Sequence, residues 1–167
     1  VPNLPPNTSF TARQRLDQGW ASQWGRVQRS HQRLPWEGFE WASVVTGEHL
    51  RDDVVHFFMD CYHLKDWLKN DPQITLQGDV EELIQQSTAL KVVADIANGQ
   101  KHLKLTSSRS GDTTTRLTDV MVTQGDGSGA TISMSVENHG APLDASDLAR
   151  MALDEWRAFL AAEGLKA

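Results

Sequence analysis

One cysteine in 167 residues excludes an internal disulfide, so no covalent staple holds this chain. Cys61 lies in an apolar helical segment, where a lone cysteine usually behaves as a small hydrophobe. No apolar run reaches the roughly 18 residues that a membrane-spanning helix needs. The opening VPNLPPNTSF also lacks the basic, then apolar, then small-residue order of a secretion signal. These absences predict a cytoplasmic protein without a membrane partner, and they leave the glycosylation-like triplet Asn7-Thr8-Ser9 little weight. Positive charge is also short: 16 Lys and Arg against 22 Asp and Glu give a net charge of −6. That balance disfavours strong non-specific attraction to nucleic acid, which comes from neutralising phosphates. It leaves room for a local basic site, and Arg26, Arg29, His31 and Arg33 form one such cluster, whose simpler reading is a solvated helix face. Tyrosine occurs once against six tryptophans, and such large amphipathic rings act as core or interface anchors.

The length suits one core, and the expected organisation is an extended, proline-rich arm over residues 1–8 followed by a single globular domain over 9–167. Leu16, Trp20, Trp24 and Val27 at spacings of three and four predict a first helix over 9–33, closed by Pro35. Trp36, Phe39 and Trp41 sit in a connection punctuated by proline and glycine, where they either pack over the helices or form a partner-binding patch. The strongest helical signal runs over 48–69, with Leu50, Val54, Phe57, Phe58, Cys61, Leu64 and Leu68 on one broad face. A further helix is expected over 79–97, with Asp79 as its N-cap and Gly99 as an interruption or C-cap. After a loop at 107–112, two strand-like runs at 113–123 and 131–137 flank a Gly-rich turn. A last helix over 146–163 docks through Leu148, Met151, Ala152, Trp156, Phe159 and Leu160. The expected fold is α+β and predominantly α: a bundle of about four helices with a small antiparallel β-hairpin before the C-terminal helix.

Opposite the apolar face of the 48–69 helix, His49, Asp53, His56, Asp60, His63 and Trp67 fall in one stripe. His56, Asp60 and His63 occupy i, i+4 and i+7, which puts two imidazoles and a carboxylate on one side, a donor set suited to a transition metal. The plainer reading is a solvated helix face. A second polar line, Ser87, Lys91, Asp95, Asn98 and His102, follows on the next helix. If the two helices pack antiparallel, His63 and Asp66 approach Asp95, Asn98, Lys101 and His102. A histidine oriented by an aspartate works as an acid or base near neutral pH, and a neighbouring lysine stabilises developing negative charge. Asp95 and Asn98 can equally serve to cap a helix or satisfy buried backbone.

The segment Tyr62-His63-Leu64-Lys65-Asp66-Trp67, followed by Asp95-Ile96-Ala97-Asn98-Gly99-Gln100-Lys101-His102, resembles an uncharacterised bacterial family of small proteins with the patterns YHLxDW and DxANxxKH. The likeness reaches to Glu155-Trp156-Arg157 and spans residues 48–163. The same helix pair also resembles HEPN domains, helical bundles of bacterial toxin and anti-phage systems, many of which cleave RNA without metal. Their signature is an Arg, a polar residue and a His a few positions on; here Asn98 and His102 are present, but Ala97 stands in place of the Arg. Only Lys101 remains as a nearby cation, without the bidentate geometry of a guanidinium.

Three functions are therefore in view. One is a non-catalytic binding module, possible as a homodimer, that takes a protein partner or ligand through the polar cluster and the aromatic loop. Another is an RNA-cleaving enzyme with His102 and His63 in acid–base roles, Lys101 on the phosphate, and Asp66, Asp95 and Asn98 around them. The remaining one is a metalloprotein using His56, Asp60 and His63. The binding module needs the fewest unobserved features. No pattern in the chain names a cofactor.

Overall fold

The computed structural model describes residues 19–34, 36, 47–102, 105–124 and 130–166. The expected arm at 1–8, the first half of the 9–33 helix, and Phe39 and Trp41 lie outside them. Five helices and a three-stranded antiparallel sheet follow in the order α1 (Trp20–Gln32), α2 (Gly47–Asn70), α3 (Val80–Gln86), α4 (Thr88–Lys101), β1 (Arg116–Gln124), β2 (Ala130–Asn138), β3 (Ala141–Asp144) and α5 (Ala145–Ala162). The fold is α+β and mostly α, with the sheet placed before the last helix.

Helix α2 is the centre of the core. Its predicted face is buried along its whole length, and α1, α4 and α5 all pack against it. Helix α1 contributes Trp20, Trp24 and Val27, and two buried polar residues of α1 bond to α2. Gln23 donates its amide to the Asp60 carbonyl at 2.9 Å. The Ser30 hydroxyl lies 2.6 Å from Asp60 Oδ2 and 2.9 Å from the Arg26 carbonyl. Gly19 offers no side chain to cap α1; instead Asp71, just past α2, accepts the Trp20 N–H at 2.8 Å. The basic cluster of α1 is mostly exposed, with His31 set edge-on against Phe57. Trp36 packs on the core rather than standing free.

The helix expected over 79–97 is two helices. Ser87 has an extended backbone (φ −77°, ψ 124°), ending α3 while its hydroxyl accepts the Leu90 N–H at the start of α4. The serine side chain offers the backbone an alternative to the helical bond, and a run of good helix formers does not override it. Asp79 caps α3 as expected, accepting the Glu81 N–H at 2.8 Å. Helix α4 passes through Gly99 and ends at His102, so that glycine neither interrupts nor caps it.

The hairpin forms with β1 starting at Arg116, because Asp112 holds Thr114 and Thr115 before it in a turn. Met134 and Val136 point into the core; Ser133 and Ser135 are only partly covered. The third strand, β3, was not expected from the sequence. It returns along β2 through His139 (φ 52°) and Gly140 (φ 71°), the pair of positive φ angles that a two-residue hairpin turn of type I′ requires. Asp144 then caps α5 by accepting the Ser146 and Asp147 N–H groups at 2.8 and 3.2 Å. Helix α5 buries Leu148, Ala152, Trp156 and Leu160, whereas Met151, expected inside, is 43% exposed. Its other end is tied back across the molecule: Glu163 accepts the N–H groups of Gln77 and Gly78 at 2.6 and 2.8 Å.

Candidate functional site

Asp95 is fully buried on α4. A carboxylate in that position is costly unless both oxygens are satisfied, and here each accepts a backbone N–H from the following loop. Oδ1 takes that of Arg109 at 2.6 Å, and Oδ2 that of Ser110 at 2.8 Å. Asp95 therefore fills the backbone-satisfying role. Among the described residues, neither His63 nor His102 hydrogen-bonds to it.

The loop held in this way delivers Arg109 to α3, where its guanidinium donates to Glu81 Oε2 at 2.8 Å. Glu81 Oε1 also receives Lys65 at 3.1 Å and Lys69 at 3.2 Å, both from α2. Burial alone would raise the Glu81 carboxyl, but the hydrogen bonds of Lys65, Lys69 and Arg109 outweigh it and hold the group at about 2. The Lys65 ammonium and the Arg109 guanidinium lie 5.0 and 5.8 Å from the centre of the Tyr62 ring. Lys65 also pairs with Asp66 at 2.9 Å. Tyr62 and Lys65 of YHLKDW and the Asp of DIANGQKH thus meet around one loop: Asp95 holds its backbone, and Lys65 shares Glu81 with its Arg109. Farther along, Asn138 donates to the hydroxyls of Ser110 and Thr115, and Asp112 accepts the His139 N–H. Bonds from Thr114, side chain and then backbone, followed by the His139 N–H, bring the Asp112 carboxyl to about 2.

The remaining candidates are dispersed. His63 faces the α2 surface with its Nε2 enclosed and without a hydrogen-bond partner among the described residues. Burial, then the charge of Lys101, pushes its imidazole below the ordinary value, and the nearby Asp66 and Asp60 only partly counter this. His63 and Lys101 are therefore electrostatic neighbours, with no hydrogen bond from His63 to Asp66, Asp95, Lys101 or His102. Asp66 lines a separate recess of about 340 Å³ with Gly19, Trp67 and Asp71. Asn98 is partly buried on α4. His56 is exposed, Asp60 is engaged by Ser30, and among the described residues no group of three or more His, Cys, Asp or Glu side chains is placed to hold a metal ion.

His102, at the exposed end of α4, borders a cleft of about 290 Å³ between α2, α4 and the start of β1. Ile96, Leu105 and Leu117 give this cleft an apolar floor. Arg51, Gln100, Thr113, Thr114 and Arg116 supply the polar part of its wall, and no carboxylate side chain is among the described residues that line it. Arg116 is paired across the hairpin with Glu137; Arg51 makes no ion pair among the described residues. Sequence reasoning found His102 but missed Arg51 and the threonines. No periodicity links Arg51 on α2 to Thr113–Arg116, and the threonines resemble the first residues of a strand. Comparison of the chain with family models, with curated proteins and with solved structures finds no match.

Proposed function

We propose that this protein is a non-catalytic binding module. The observation that carries the reading is the engagement of Asp95: the one buried carboxylate on α4 has each oxygen on a backbone N–H, so that among the described residues it orients neither His63 nor His102. General acid–base catalysis needs a donor or acceptor within hydrogen-bond reach of the proton it moves, held in one tautomer. His63 has its Nε2 buried and does not line the recess that His102 borders, and no hydrogen bond joins the two among the described residues. What the chain does build is a loop fastened by Asp95, Glu81 and Asp112, with a concave polar surface beside it. A rigid wall of this kind serves recognition, because a ligand then binds without first ordering the site.

The test is RNA cleavage by purified protein in excess chelator, wild type beside His102→Ala, with both folds checked by circular dichroism. The expected outcome is no cleavage above buffer by either protein. Cleavage by the wild type that a folded His102→Ala variant loses overturns the reading in favour of a metal-independent, HEPN-like ribonuclease.

A further inference from the structure

Resting on that reading, we infer that the cleft between α2, the end of α4 and the start of β1 binds a small phosphate-bearing ligand of nucleotide size. The phosphate sits toward Arg51 and Arg116, and the organic part lies on the apolar floor. Three features of the lining lead there. Arg51, His102 and Arg116 gather on one concavity with no carboxylate among the described residues of its lining, in a chain whose overall charge is −6. A guanidinium matches phosphate oxygens with a planar fork of donors, and Arg51 has no ion pair among the described residues to compete for it. Thr113 and Thr114 add hydroxyl groups on the same wall, and the floor is apolar carbon.

Two opposing effects are smaller. The C-terminal end of α4 carries a partial negative charge of about half an electron, less than the full charge of Arg51. Glu137 offsets the charge of Arg116 but leaves the guanidinium its other donors. Size selects among phosphate sources: about 290 Å³ lies at the small end of ligand pockets and accommodates a single nucleotide. A polynucleotide would have to lay its backbone over a net acidic protein.

Gly99 provides a steric test. It borders the cleft, and a Cβ built on it meets nothing within 4 Å. Gly99→Leu therefore fits the helix while placing a bulky side chain at the border of the cleft.

The experiment titrates full-length protein by calorimetry with adenosine 5′-monophosphate, inorganic phosphate and a ten-nucleotide single-stranded RNA, and follows the nucleotide by phosphorus NMR. The expected result is one site for the nucleotide, binding tighter than inorganic phosphate. Affinity falls roughly ten- to a hundredfold in Arg51→Gln, as loss of a charge-assisted hydrogen-bonding group dictates, and falls likewise in Gly99→Leu. Arg150→Gln, on an exposed face of α5, binds as wild type. Circular dichroism checks that each variant is folded. Absence of nucleotide and phosphate binding, or binding indifferent to both cleft variants, overturns the site while the non-catalytic reading stands. Binding of RNA alone overturns the small-ligand assignment. Nucleotide that binds at the cleft and is consumed in the NMR tube upholds the site and overturns the non-catalytic reading.

Discussion

At the residue scale, Asp95 separates a structural from a catalytic reading. Its carboxylate is buried, and two backbone N–H groups depend on it. Asp95→Ala leaves both donors without their acceptor and should cost about 2–4 kcal/mol, measured as a lower denaturant midpoint. Asp95→Asn keeps one carbonyl acceptor but turns an amide N–H₂ toward the other donor, so it should fall between alanine and wild type. A residue whose importance was catalytic would tolerate Asn with little change in the midpoint. The sequence put Asp95 on a helix and offered both readings, because a carboxylate on a polar line looks the same whether it faces a ligand or a loop. What engages its oxygens is a loop fourteen residues later whose own sequence, Ser-Ser-Arg-Ser-Gly, gives no sign of where its N–H groups point.

At the element scale, Ser87 and Gly99 should move stability in opposite directions. Ser87→Ala removes the side chain that accepts the Leu90 N–H and should cost about 1 kcal/mol. Gly99→Ala adds a Cβ into open space within a helix and should gain up to about 1 kcal/mol; chemical denaturation of the two single variants tests both signs. The same two residues mark how far elements were legible in the chain. Apolar residues at three- and four-residue spacing located α2 and α5 to within a residue or two, since burial of one face dominates helix formation. Ser87 was invisible because one cap hydrogen bond decides there against propensity summed over many residues. Strand β3 was missed for a related reason. All four of its residues are exposed, so it has no apolar alternation to read, and a type I′ turn at His139-Gly140 creates it. The cleft was legible only through His102, because Arg51 and Arg116 meet through the packing of α2 against the sheet and not through any local pattern.

At the scale of the whole molecule, the ties that hold α2, α3, the 105–115 loop and the sheet together are largely ionic or carboxylate-mediated, so acid should loosen them in a defined order. His31 and His63 sit below the ordinary imidazole value of 6.5, in each case chiefly through burial. The unfolded chain therefore binds protons that the folded chain refuses, and stability falls as the pH drops below 6.5 toward the folded values. Glu81 is held at about 2 against an ordinary value of 4.5, with its three cationic partners overcoming burial, and Asp112 at about 2 against 3.8. Their contributions are fully present above the ordinary carboxylate values and vanish as the pH falls through about 2. Stability plotted against pH should thus descend in two stages. His63→Phe should shrink the upper stage to the part His31 supplies and leave the lower one. Glu81→Gln should shrink the lower one to the part Asp112 supplies and lower stability at neutral pH, because Lys65, Lys69 and Arg109 lose their shared anion. Urea midpoints of the three proteins between pH 2 and 8 measure this. A lower stage that persists undiminished in Glu81→Gln would mean that the clamp joining α2, α3 and the loop is not what acid releases.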